Sequence, residues 1–236
     1  MEQKYLVSRH LSDGVQEIGV DEAGRGCFWG PIMAGAVLWP LEEMWTQEHF
    51  TVAPDIKDSK KIAEKKRRRI AESIKKLAVS WGVGAVSAAE IDEHGITWAN
   101  KEAFRRALAI CGRNTDGNVR VVIDGTISIE PVQTGDTVVT VVDGDATYLH
   151  IAAASILAKV EHDRWIEEFC VTNKECAERY SLLTSHGYGT AKHRDGLRAY
   201  GAHEHHRRTF VYRWLPDPDP SPAKKEEVCL IRFRSA

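Results

Sequence analysis

No stretch of this chain approaches the roughly 18 consecutive apolar residues that a membrane-crossing helix needs. Its amino terminus, MEQKYLVSRHLSDG, lacks the basic-then-apolar order of a secretory signal. Cysteine is sparse: five residues, an odd number, scattered, with no two in a C-x-x-C pair. That pattern argues against a disulfide framework or a thiolate zinc site and points to a reducing, cytoplasmic setting. Net charge is nearly absent too, −2 over 236 residues. What is present, 43% hydrophobic and 28% charged residues, is the composition of a water-facing globular chain with one large core.

The even charge balance conceals two basic regions. Residues 57–76 carry ten Lys and Arg against three acids, and residues 184–213 carry six against two, with five His. Basic regions on a near-neutral chain suit a polyanion-facing surface, although a solvated helix face has the same composition. After residue 213 the composition changes. LPDPDPSPAKKEEVCLIRFRSA holds four of the eight prolines and reads as a linker and tail over 214–236, leaving 1–213 as the catalytic unit.

Apolar periodicity predicts strands over 17–20, 32–39, 79–87, 119–123 and 137–142. It predicts helices over 60–78, capped by Ser59, and over 88–94, 97–111, 148–171 and 176–183. Alternating strands and helices imply an α/β fold, a mixed central sheet with helices covering it. Three of the strands end in acids: Asp21 and Glu22 after the first, Asp124 after the fourth, Asp143 and Asp145 after the fifth. Carboxyl ends of strands line the ligand crevice in such folds, so Asp21, Glu22, Asp124 and Asp145 are expected at one place.

Gathered carboxylates repel one another and resist burial unless a cation joins them. An all-oxygen donor set selects Mg²⁺ or Mn²⁺ over zinc, and a pair of such ions suits phosphodiester hydrolysis. Neighbouring residues of a regular strand face opposite ways. The sequence therefore predicts that the first strand breaks at Asp21-Glu22, with Ala23-Gly24-Arg25-Gly26 supplying the break. A Gly-Arg-Gly loop can also present backbone N–H groups and Arg25 to a phosphate.

These motifs fall in an order that resembles ribonuclease HII, the type 2 ribonucleases H. The matching stretches are GVDEAGRG (19–26), DSKKI (58–62), IDG (123–125), GD (144–145), IAAASILAKVEHDR (151–164), GYGTAKH (187–193) and HHRRTF (205–210). The resemblance implies the ribonuclease H-like fold with a helical C-terminal portion. It implies hydrolysis, dependent on Mg²⁺ or Mn²⁺ and using two ions in the substrate complex, of the RNA strand in RNA–DNA hybrids. It also implies cleavage 5′ of a single ribonucleotide embedded in duplex DNA, leaving 3′-hydroxyl and 5′-phosphate ends, a step in ribonucleotide excision repair. The family's catalytic and metal-binding acids fall on Asp21, Glu22, Asp124 and Asp145. Gly24, Arg25 and Gly26 fall on the loop that reads the ribose 2′-hydroxyl, the group that separates RNA from DNA at a site. Tyr188 falls on the tyrosine that packs on the following sugar, and Lys60 on a phosphate contact.

Departures from the family pattern are the extra acid Asp143 and the bulky Phe28 and Trp29, read here as packing beneath the loop. Asp163 reads as an ion-pair partner for Arg164 or an arginine such as Arg67, or as a helix-surface residue, rather than a metal ligand, and 205–208 as a structural lock on the C-terminal helices. His193 stays open between a packing role and a site role. The tail at 228–233 raises docking on a sliding clamp, beside an unstructured or core-covering role. A monomer is expected. Competing readings are a ribonuclease HIII-like nuclease, which usually carries an added N-terminal domain where this chain has 16 residues before its first strand; a DNA-cutting nuclease on the same fold; and an inactive hybrid-binding module.

Overall fold

The computed structural model describes residues 5–112 and 117–216. Five strands form one sheet: β1 Gln16–Ala23, β2 Ile32–Leu38, β3 Ser80–Val86, β4 Val119–Asp124 and β5 Thr137–Val141, in the order β3-β2-β1-β4-β5. The β1–β2 and β2–β3 pairs are antiparallel, β1–β4 and β4–β5 parallel, so the sheet is mixed as expected. Helices are α1 Gln47–Val52, α2 Glu64–Leu77, α3 Ala88–His94, α4 Ile96–Cys111, α5 Leu149–Thr172, α6 Lys174–Arg179, α7 Leu182–Ser185, α8 Ala191–Tyr200 and α9 Arg208–Val211.

Helix α4 covers one sheet face. Ala99, Ala103, Phe104 and Ala107 pack there on Ile18, Val20, Ala34 and Ile123. Helix α5 covers the other, with α2 beyond it, around Val37, Ile70, Ile74, Ala153 and Leu157. The run of small residues in α5 lets its backbone lie almost on the sheet. A Cβ added at Gly35 would fall 2.2 Å from the Ala154 carbonyl oxygen, so that approach requires glycine. A third cluster joins the C-terminal helices to the loop after β1 through Trp29, Tyr180, Leu182 and Leu197.

Three local expectations are corrected. Strand β1 does not break at the acids; it keeps its register through Asp21↔Gly35, Glu22↔Ala34 and Ala23↔Met33. Helix α2 begins at Glu64 rather than residue 60. Residues Ser59–Lys61 form a 3-10 turn capped by Asp58, whose carboxylate accepts from the Lys60 N–H. Ser59 faces inward, its hydroxyl 3.0 Å from that of Ser155. The helix expected over 176–183 is two, α6 and α7, separated at Ser181, which adopts φ 52. Helices α1 and α8 were not anticipated. The tail from residue 217, with its apolar 228–233, lies outside the described residues.

Candidate active site

Because β1 stays regular, its two acids leave opposite faces of the sheet. Asp21 turns toward α5, where the Ser155 hydroxyl favours its charged form. Glu22 turns toward α4, where the Asn100 amide nitrogen lies 3.5 Å from its Oε2. Asp124 ends the adjacent parallel strand one step beyond the Val20↔Ile123 pair, beside both. Its Oδ1 accepts from the Gly144 N–H at 2.7 Å and the Asp145 N–H at 3.3 Å, which ties the β5 turn to β4. Asp145 sits half-buried in that turn, and Asp143 is exposed at left-handed φ 56.

The electrostatics record the crowding. Burial and then Glu22 push the Asp21 carboxyl well above its ordinary range. Burial raises Glu22, opposed by its bond from Asn100 and by Arg25. Burial and Asp124 raise Asp145. The cation that offsets charge on both Glu22 and Asp145 is Lys60, exposed at the rim. Asp58 adds negative charge facing Asp145.

All four acids are hard oxygen donors short of positive charge, which is the chemistry a divalent cation answers. Among the described residues, no three His, Cys, Asp or Glu side chains are drawn close enough to hold an ion between them. The acids ring the end of the sheet from both faces rather than closing a cage.

The loop after β1 turns at Gly24, and its Cys27 N–H bonds the Gly24 carbonyl at 3.1 Å. Gly24 is buried at φ 79, and a Cβ there would lie 2.4 Å from the His162 imidazole, so the fold itself demands glycine. Gly26 is different. It has no positive φ and nothing within 4 Å of an added Cβ. Arg25 and Gly26 are exposed. The loop is stitched to the C-terminal segment. Phe28 and Trp29 donate to the Gly187 carbonyl at 2.8 and 3.2 Å, and Cys27 bridges to Tyr188. Gly30 donates to the His205 carbonyl at 2.9 Å. Tyr188 thus stands beside the Gly-Arg-Gly turn, 40% exposed, with the Lys159 ammonium 5.6 Å from its ring centre. Burial and the adjacent Cys27 push its hydroxyl up to about 12.

Phe28 and Trp29 pack as expected. The Phe28 ring lies over Gly189 and edge-on to His193, and Trp29 is fully buried among His203, His206 and Tyr180. Asp163 is an ion-pair hub, with Lys159 at 2.7 Å and Arg67 at 3.3 Å. Burial pushes its carboxyl up, but the bonds from His162 and Lys159 prevail and hold it at about 2. His193 is buried, its Nε2 3.0 Å from that of His206, which makes it part of the C-terminal packing.

Sequence reasoning missed Asn100, Ser155 and Asp58. Asn100 is the one polar residue among the buried positions of α4, and Ser155 interrupts the apolar run 151–157 of α5. That exception to the apolar pattern was a signal that could have found them.

Comparisons with known proteins bear on the family and the fold. The family profile described as Ribonuclease HII matches residues 18–215. The ribonuclease HII of Caldanaerobacter subterraneus subsp. tengcongensis is 37% identical over 215 residues, 91% of this chain and 82% of that protein. The crystal structure of ribonuclease H2 from Pyrococcus horikoshii superposes with a TM-score of 0.66 at 25% identity, covering 85% of this chain and 99% of that one. The ribonuclease HII of Archaeoglobus fulgidus, solved in complex with PCNA, gives a TM-score of 0.62 at 26% identity, covering 81% of this chain and 91% of that one.

Proposed function

The chain belongs to the ribonuclease HII family, an endonuclease family with ribonuclease H activity on RNA–DNA hybrids, and on that premise we propose that it also cuts 5′ of single ribonucleotides embedded in duplex DNA. The products carry 3′-hydroxyl and 5′-phosphate ends, which places the protein in ribonucleotide removal from DNA.

The observation that carries this reading is the placement, around the carboxyl end of the central strands β1 and β4, of four acids beside a Gly-Arg-Gly turn whose second glycine the fold does not need. Asp21, Glu22, Asp124 and Asp145 would hold Mg²⁺ or Mn²⁺, two ions in the substrate complex, whose chemistry is charge neutralisation at the phosphate and activation of water. Ser155 and Asn100 fix the two β1 carboxylates from opposite sides. Lys60 meets the phosphate backbone at the rim. The turn at Gly24, Arg25 and Gly26 lies against the ribose and reads its 2′-hydroxyl, with the bare Gly26 leaving room for the sugar. Tyr188 packs on the next sugar and excludes a second ribose there. Acid placement and loop together favour an enzyme over a passive hybrid-binding module.

The test is a duplex carrying one ribonucleotide, run beside an all-DNA duplex and a long hybrid, with end groups mapped. Cleavage 5′ of the ribonucleotide with the all-DNA duplex intact is expected. Equal cutting of all-DNA duplex would replace this reading with a DNA nuclease on the same fold.

We place the protein in the cytoplasm as a monomer. Among the described residues no helix is long and apolar enough to cross a membrane. For the tail, 217–236, clamp docking is a proposal that stands beside an unstructured or core-covering role, and the archaeal relative solved with PCNA is its support. Recovery of clamp by the full chain but not by a 1–215 truncation supports it, and equal recovery rejects it.

A further inference from the structure

Arg207 is fully buried, yet no carboxylate pairs with it within ion-pair distance among the described residues. Its guanidinium spends its donors on backbone instead. Nη1 donates to the Arg25 carbonyl at 2.8 Å and Nε to the Gly30 carbonyl at 3.0 Å. Those two carbonyls bracket the loop that runs from the Gly-Arg-Gly turn to the start of β2. Nη2 has no partner. The Arg207 N–H also donates to the Phe28 carbonyl at 2.8 Å, so one residue holds the loop at three points.

The segment that carries Arg207 is itself anchored. The next two backbone N–H groups, of Arg208 and Thr209, donate to the two carboxylate oxygens of Asp92 on α3 at 2.7 and 3.0 Å, and the Thr209 hydroxyl donates to Asp92 at 2.6 Å. Burying a cation without a counter-ion is costly, and an apolar side chain of equal length would fill the space at less cost. Packing alone therefore does not account for arginine here. Two carbonyls that must be held at a fixed separation do, because a planar guanidinium presents its donors in a rigid fork.

We propose that Arg207 is a positioning residue for ribose recognition. By holding the Arg25 and Gly30 carbonyls it fixes the path of the loop, and so the direction in which the exposed Arg25-Gly26 backbone faces the substrate sugar. The inference rests on the reading that this turn senses the 2′-hydroxyl. Arg207 touches no substrate; it acts through the loop.

The experiment uses the full chain and two readouts. One is kcat/KM for cleavage of a duplex with one embedded ribonucleotide. The other is the inhibition constant of the matching all-DNA duplex as a competitor, which reports binding that ignores the 2′-hydroxyl. Arg207→Met keeps the bulk and removes the donors. It is expected to lower kcat/KM by about tenfold to a hundredfold, while the inhibition constant stays within about twofold. Arg207→Lys, which keeps one point donor without the fork, is expected to fall between wild type and Arg207→Met. A folded Arg207→Met protein with both readouts unchanged overturns the proposal. So does a parallel loss in both, which marks Arg207 as a general scaffold residue. If Arg207→Met fails to fold, Arg207→Lys decides by the same two criteria. A wild-type enzyme that cuts the all-DNA duplex as well as the ribonucleotide duplex would sink the underlying reading rather than the role of Arg207.

Discussion

Replacing Gly24 and Gly26 separately by alanine should divide stability from function within one turn. At Gly24 the backbone sits at φ 79, where an L side chain costs about 1–2 kcal/mol, and the new Cβ would press on His162 at 2.4 Å. With displacement of that buried ring, the total is roughly 2–4 kcal/mol, a drop in melting midpoint of about 5–15 °C for a domain this size. At Gly26 the backbone strain and the neighbour are both missing. Alanine there reduces the freedom of the unfolded chain, a gain of about 0.4–1 kcal/mol, so the midpoint holds or rises slightly. If the bare face of Gly26 exists to admit the sugar, the methyl pushes the ribose off its donors. A hydrogen bond left unmade in a closed contact costs about 1–3 kcal/mol, or roughly a tenfold to hundredfold fall in kcat/KM. Circular dichroism melts and cleavage of a single-ribonucleotide duplex read the two axes. A Gly26→Ala protein with wild-type cleavage, or one destabilised as much as Gly24→Ala, would refute the reasoning.

Asp124→Asn should melt within a few degrees of wild type, because the amide oxygen can still accept from Gly144 and Asp145, yet lose two or more orders of magnitude in cleavage, as is typical when the ions that neutralise developing charge lose a ligand; retained cleavage would take it out of the site. Chelation of divalent ions should abolish cleavage, and adding Mg²⁺ or Mn²⁺ to chelated protein should raise the melting midpoint by stabilising the charged forms that burial, and then neighbouring carboxylates, disfavour at Asp21, Glu22 and Asp145; a midpoint indifferent to both ions would count against these residues as ligands. Burial holds His150 and His193 down to about 4 and His206 down to about 2, against 6.5 when exposed. Below pH 6.5 the unfolded chain therefore binds protons that the fold refuses, and stability falls with acidification at up to about 1.4 kcal/mol per pH unit for each histidine. Asp21, raised in the fold, works in the opposite sense; denaturant midpoints at pH 7.5 and 5 that agree would contradict the dominance of the histidines.

Strands β4 and β5 were legible as β-branched runs, β1 to β3 as short apolar runs interrupted by glycine, and α5 because its apolar stretch is long. Helix α8 was not, because its buried face is His193, Gly196 and Leu197, which no apolar periodicity reveals. The Gly196 position works by closeness instead, an added Cβ falling 2.1 Å from the Arg179 carbonyl oxygen. The break between α6 and α7 has neither Gly nor Pro; Ser181 takes the left-handed conformation there without a sequence marker. The start of α2 was misplaced because Ser59 reads as a cap, while Asp58 caps only the 3-10 turn Ser59–Lys61, Ser59 is drawn inward by Ser155, and α2 starts after Ala63 with no side-chain cap.

The acids carry the most instructive error. Paired charge at a strand end reads as a stop, on the premise that two neighbours of one strand cannot serve one site. Strand alternation does separate Asp21 and Glu22, yet Asp124, at the tip of the adjacent parallel strand, influences both. A site at the end of a sheet, unlike one on its face, can draw on both faces at once, so alternation is no obstacle there. It then needs a polar partner from each covering layer. Ser155 comes from α5 and Asn100 from α4, each a buried polar residue. The carboxylates announce the chemistry in the sequence, but their partners lie on helices far along the chain, and only the stacking of the three layers brings them together.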